Sequence, residues 1–160
     1  MTLAFIGLGS NLADPARQVH NALAALGAIA QTRVLRHSSL YRTAPVAFID
    51  QPDFINAVAE IDTALSPLPL LDALQDIENR FGRTRSFRNA PRIIDLDLLW
   101  YQGVRLVSER LVLPHPRMLQ RAFVMIPLCE IAPDLLLEPE GSVMEIVAGM
   151  EDASVERLSG

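Results

Sequence analysis

Apolar and polar positions along the chain change period several times, and each change predicts an element. Thr2 to Gly9 alternates loosely and ends in "GLGSN", which predicts a first strand running into a turn. Asp14 followed by Pro15 predicts a helix start, and Val19, Ala22, Leu23 and Leu26 recur at helical spacing before Gly27 ends the run. Thr32 to Tyr41 reads as a second strand, "TAPVAFIDQPD" as a long polar loop, and Phe54 to Leu65 as a third strand of period two. Ser66 and Pro67 then repeat the helix start. Leu70, Leu71, Leu74, Ile77, Glu78 and Phe81 form one stripe that ends near Gly82. A fourth strand is expected over Ile93 to Tyr101. Gln102-Gly103 should turn the chain into a short strand at Val104 to Val107, and "HPRMLQRAFVMIPLCEIAP" should supply a third helix. The last twenty residues are weakly patterned; a cap on the sheet is the simplest role for them, and the sequence assigns no other.

This order predicts an α+β fold with a ferredoxin-like β-α-β-β-α-β core, an antiparallel sheet with helices packed on it, plus a C-terminal helix and short strands. At 160 residues the chain suits a single domain over 1–160 with one core. The first apolar run is too short and too glycine-rich for a membrane span, and no basic stretch precedes it, so the expected compartment is the cytoplasm. Cys129 has no second cysteine to pair with and is expected to be an inert core thiol.

Charge narrows the chemistry. A net charge of −5 argues against nucleic acid or an anionic membrane as partner. All 14 basic residues are arginine. With no lysine there is neither a Walker-type phosphate lysine nor a Schiff base, and any phosphate binding by a cationic side chain falls to arginine.

Asp95 and Asp97 interrupt the fourth apolar strand. Residues two apart on a strand share a face, so these carboxylates project together roughly 6 to 7 Å apart, with Ile94, Leu96 and Leu98 on the other face. Paired hard-oxygen ligands favour Mg²⁺. The plainer reading is a solvated sheet face, but Arg80, Arg83, Arg85, Arg88 and Arg92 all stand between residues 80 and 92, ahead of the pair. Five guanidinium groups exceed what two carboxylates need. Arginine binds phosphate oxygens bidentately, and carboxylate-held Mg²⁺ bridges the same oxygens, so the segment carries the components of phosphoryl transfer.

The stretch "RNAPRIIDLDLL" resembles the central signature of the 6-hydroxymethyl-7,8-dihydropterin pyrophosphokinases of folate biosynthesis. "IGLGSNL", "SSLYRTAPV", "QPDFINAV", "IENRFGR" and "RLVLPHPRMLQRAFVMIPLCEIAP" are similar to the same family in the same order. The resemblance implies transfer of pyrophosphate from ATP to the hydroxymethyl oxygen of 6-hydroxymethyl-7,8-dihydropterin, leaving AMP. It also implies two Mg²⁺ ions on Asp95 and Asp97, with Arg83 and Arg92 neutralising the transferred group. Gln75, Glu78, Arg88, Leu98, Arg110, Leu111, His115 and Arg121 would serve ATP, with Leu98 and Leu111 acting mainly through the backbone. Thr43, Pro45, Val46 and Asn56 would meet the edge of the pterin, and Phe54 and Phe123 its two faces.

All these residues lie on one chain, so a monomer suffices. No general base is assigned. Metal-dependent phosphate-ester hydrolysis at the same acids, or a noncatalytic binding module, are the rival readings. Many family members place Trp where this chain has Asn89, and often Lys near Ser86, so nucleotide binding is expected to be weaker here. Asn89→Trp should tighten it in a calorimetric titration, and an unchanged affinity would contradict that expectation.

Overall fold

The computed structural model describes residues 1–45, 50–82, 93–150 and 154–158. Strand β1 (Thr2–Ser10) is followed by α1 (Pro15–Gly27), β2 (Thr32–His37), β3 (Tyr41–Thr43), β4 (Phe54–Thr63), α2 (Pro67–Arg80) and β5 (Asp95–Tyr101). β4 lies inside the main sheet. One of its edges takes β1, with β5 beyond, and the other takes β2 and β3 end to end. The pairings are antiparallel, and the order is that of the expected ferredoxin-like core.

Alternation assigns each face its cover. Ala4, Ile6 and Leu8 of β1 and Ile55, Ala57 and Ile61 of β4 pack against the apolar stripes of α1 and α2. Phe5, Val58 and Leu99 face the other way, where α3 (Ala122–Ile131) buries Val124, Met125 and Leu128 on them. Prolines at the first positions of α1 and α2 suit helix starts because their fixed φ and missing N–H cost nothing there. Neither preceding side chain makes a cap hydrogen bond, and Asp14 adopts a left-handed conformation with φ 62°.

The expected second strand is two strands. Between them Ser38 is buried, donates its N–H to Val58 O at 2.8 Å and accepts Val58 N–H on Oγ at 3.0 Å. The hydroxyl takes the place of a ladder carbonyl, so the chain changes register along β4 without leaving Val58 unbonded. Ser38→Ala should therefore cost about 1–3 kcal/mol by leaving a buried amide unpaired. Urea unfolding with a lowered midpoint and unchanged slope would show it; an unchanged midpoint would mean the amide finds another partner.

The third helix also starts later than expected. Pro116 biases His115 away from helical geometry, and Arg121 is extended at φ −112°, ψ 101°. His115 to Arg121 is accordingly a loop containing a 3-10 turn at Met118–Gln120.

After β5 the chain forms β6 (Leu106–Val107) paired with β7 (Val112–Leu113). After α3 come β8 (Leu136–Leu137), β9 (Gly141–Ser142), α4 (Val143–Ala148) and β10 (Val155–Arg157). β10 pairs with β3, so the weakly patterned end of the sequence supplies an edge strand of the main sheet. Cys129 is only partly buried beside the second core, and burial pushes its thiol up, which keeps it protonated. Among the described residues no helix is long and apolar enough to cross a membrane.

Candidate active site

The acidic pair lies on the sheet face opposite α1 and α2. Asp95 pairs with Gly9 and Asp97 with Gly7, while Leu96 and Leu98 are buried in the helix-side core. Directly paired residues share a face. Tyr41, Asn56, Gly9 and Asp95 therefore form one rung across four strands, and Thr43 with Phe54 lies beside it. Both acids are half-buried. Their β1 neighbours are both buried glycines: Leu99 packs over Gly7, and the Asn56 amide stands over Gly9. A Cβ on Gly9 would come within 2.8 Å of Asn56 Oδ1.

A bulge ends this arrangement. Ile6 pairs with Leu98 and Phe5 with Trp100, so Leu99 is the extra residue and covers Gly7 on the acidic face. Leu99 O then accepts His115 N–H at 2.8 Å, which draws the His115 loop alongside β5. Burial first, and then the charges of Arg121 and Arg117, push the His115 imidazole below its usual range. Its Nδ1 accepts Arg117 N–H at 3.2 Å, which leaves Nε2 as the proton-bearing nitrogen of the neutral ring. A polyanion beside it would reverse the sign of its surroundings.

On the same face, Asn56 Nδ2 donates to Thr43 Oγ1 at 2.7 Å, and both side chains are buried. That bond fixes the amide plane and leaves Asn56 Oδ1 as an oriented acceptor. Phe54 flanks the pair at the start of β4, and Pro45 is half-buried just beyond β3. Phe123 stands in the first turn of α3, with the Arg121 guanidinium 5.5 Å from its ring centroid. The "GLGSN" turn has more content than its sequence suggested. Ser10 donates its hydroxyl to Ile93 O, and Asn11 Nδ2 donates to Gln51 Oε1 at 2.7 Å and Pro52 O at 3.2 Å. The turn thus ties the approaches to both β5 and β4.

Of the expected ATP residues, Gln75, Glu78 and Arg110 lie together along α2 and the outer edge of β5. Glu78 is buried, and its Oε2 accepts Leu96 N–H at 2.9 Å. Leu98, two residues on, turns its backbone N–H to the same edge while its side chain stays in the core. Leu111 is likewise buried, and its backbone is tied to Ser108: its N–H donates to Ser108 Oγ at 3.2 Å and its carbonyl accepts Ser108 N–H at 3.0 Å. Arg110 Nη2 bonds Asp72 Oδ1 at 2.6 Å and Gln75 Oε1 at 3.2 Å, which places Gln75 and Arg110 together. Val46, Arg83, Arg88 and Arg92 lie outside the described residues, as do Arg85, Ser86 and Asn89.

Among the described residues no three His, Cys, Asp or Glu side chains cluster as a metal cage. Two half-buried carboxylates on one face fit Mg²⁺, which commonly takes one or two carboxylates and completes its shell with substrate phosphates and water. Two cavities, of about 330 and 290 Å³, open elsewhere on the protein, and none of the candidate residues lines either.

A second charged cluster was not anticipated. Glu130 of α3 accepts Ser39 N–H at 3.0 Å, Ser39 Oγ at 3.0 Å and Tyr41 OH at 2.7 Å, and pairs with Arg157 Nη2 at 3.5 Å. Burial raises this carboxyl, but the bonds from Tyr41 and Ser39 and the charge of Arg157 outweigh it and hold the group below its usual range. A depressed carboxylate stabilises the fold above the unfolded value, about 4.3, and that contribution disappears as pH falls through the lower folded value. Urea unfolding should therefore show wild type more stable than Glu130→Gln at neutral pH, with the gap closing at acid pH as the carboxylate takes up its proton. An equal gap at both pH values would contradict the ionised clasp.

The profile of the family described as 7,8-dihydro-6-hydroxymethylpterin-pyrophosphokinase (HPPK) matches residues 5–133. Over 159 residues the chain is 45% identical to the 2-amino-4-hydroxy-6-hydroxymethyldihydropteridine pyrophosphokinase of Haemophilus influenzae, covering 99% of each chain. It is 45% identical over 156 residues to the protein of that name from Pseudomonas aeruginosa, covering 98% of this chain and 96% of that one. In fold it is similar to Plasmodium falciparum HPPK-DHPS solved with pteroate, at TM-score 0.75 and 13% identity, covering 92% of this chain and 42% of that one. The chain thus spans under half of that solved protein, but nearly the full length of the bacterial relatives. It belongs to the 7,8-dihydro-6-hydroxymethylpterin-pyrophosphokinase family.

Proposed function

We propose that the protein transfers the pyrophosphoryl group of ATP to the hydroxymethyl oxygen of 6-hydroxymethyl-7,8-dihydropterin, giving the pterin diphosphate and AMP in folate biosynthesis. The observation that supports this most directly is the shared face: the Asp95 and Asp97 carboxylates stand across the glycine positions of β1 from the Asn56–Thr43 pair. A phosphate chain on the acids and a flat amide-edged ring at Asn56 would meet over Gly9. Membership of a pyrophosphokinase family points to the same chemistry.

Asp95 and Asp97 would hold two Mg²⁺ ions, which supply charge neutralisation for the phosphates of ATP. Asn56, oriented by Thr43, receives donors on the amide edge of the pterin, with Pro45 and Val46 adding backbone contacts and Phe54 and Phe123 flanking the ring. Gln75, Glu78, Arg110 and the backbone at Leu98 and Leu111 place the nucleotide. Arg83, Arg88, Arg92, His115 and Arg121 carry the phosphate contacts, and Arg83 and Arg92 take up charge on the transferred group and on AMP.

The pterin hydroxyl oxygen bonds to the β-phosphorus, the bond from that phosphorus to the α,β-bridging oxygen breaks, and the bridging oxygen leaves with AMP. The hydroxyl proton passes to solvent. Positioning and charge neutralisation carry the step, and no general base is required. A monomer in the cytoplasm accommodates this mechanism, since one chain carries every residue named.

Phosphorus NMR of the protein with ATP, Mg²⁺ and the pterin tests the reading. AMP and a diphosphate ester should grow in equal amounts. Inorganic phosphate or pyrophosphate growing in place of the ester would indicate hydrolysis.

A further inference from the structure

Glu130 has no part in the chemistry above, yet it gathers donors from three separate parts of the chain. Ser39 belongs to the crossing between β2 and β3, Tyr41 to β3 itself, and Arg157 to β10. β3 is only three residues long, and its two edges are taken by β4 and β10. Leu158 N–H adds a bond to Leu40 O at 2.9 Å. β3 carries Thr43, the partner of Asn56, and leads straight into Pro45. α3 carries Phe123 two turns ahead of Glu130, about 10 Å along the helix. The clasp therefore joins β3, which carries Thr43 at the edge of the proposed ring slot, to α3, which carries Phe123 on one of its faces. Tyr41 also shares its rung with Asn56, so the bond that fixes the Tyr41 hydroxyl also fixes the side chain beside the recognition amide.

We propose that Glu130 is a positioning residue for the pterin, and that β10, through Arg157 and its pairing with β3, is the strap that completes the clasp. Held together, β3 and α3 keep Thr43 and Phe123 at the separation a flat ring requires. Released, they lose that separation while the acids on β5, two strands away from β4, keep theirs. This inference rests on the pterin reading of the site. It predicts an effect on pterin affinity rather than on the phosphoryl step or on ATP.

Steady-state kinetics of Glu130→Gln, Tyr41→Phe and Arg157→Ala test it, with Arg33→Ala as a control that removes an exposed ion pair to Asp62 on the same sheet. Glu130→Gln should raise the pterin KM about tenfold, and the two milder variants about threefold, with kcat and the ATP KM held within about twofold. Arg33→Ala should leave the pterin KM unchanged. A merely structural role would lower kcat through loss of folded protein at constant pterin KM, and that pattern overturns the inference. So does a rise in the ATP KM equal to that for the pterin. A competent wild type whose variants keep the pterin KM overturns only the positioning role. A wild type that makes no pterin-dependent AMP overturns the underlying reading, and the inference with it.

Discussion

Alanine at Asp95 or at Asp97 lowers pterin-dependent AMP formation by about 10²–10³-fold or more. Each acid is half-buried on a face where its β1 neighbour is glycine, so no adjacent β1 side chain can take over its role. Removing either carboxylate leaves one anchor where the phosphates and their metal require two. The fold should survive, because Leu96 and Leu98 keep their places in the helix-side core and the Leu96 backbone N–H keeps its bond to the Glu78 carboxylate. A stopped assay for AMP, with circular dichroism to confirm folding, reads the effect. Rates within a few-fold of wild type in both variants would make the pair a solvated sheet face.

Gly9→Ala should lower kcat/KM for the pterin by about 10²-fold, the scale of loss that follows a displacement of roughly 1 Å at a recognition group. The new methyl would meet Asn56 Oδ1 at 2.8 Å, closer than packing allows, while the Asn56 amide is held from its other end by Thr43. Either the amide swings and gives up the Thr43 bond, or β1 and β4 part at this rung. Both movements spoil the acceptor presented to the ring. The ATP KM should move little, because the proposed nucleotide edge of β5 lies on the far side of that strand from β1. An alanine variant with normal pterin kinetics would remove Asn56 from the recognition set.

The sheet and its first two helices were legible because their apolar periods agree with their element types. The alternation of Asp95, Leu96, Asp97 and Leu98 survives as alternating partial and full burial. The doublet Leu98-Leu99 breaks that alternation and marks the bulge: one leucine enters each core. The split between β2 and β3 was not legible, because a serine that substitutes for a ladder carbonyl reads like any serine in a strand. Pro116 could have warned that the third helix starts late. The Glu130 clasp had no local signature at all: its partners at Ser39 and Tyr41 are 91 and 89 residues away. Only the folded sheet brings them together. Asp95 and Asp97 were legible as a same-face acidic pair from the strand period, Asn56 and Thr43 were found by resemblance, and the common face of all four follows from the strand registers.

AMP release from ATP and Mg²⁺ by the wild-type protein, measured with and without 6-hydroxymethyl-7,8-dihydropterin, bears most directly on pyrophosphoryl transfer at this face. AMP should accumulate only when the pterin is present, one molecule for each pterin consumed. AMP that forms equally without the pterin, or no AMP under either condition, would contradict it.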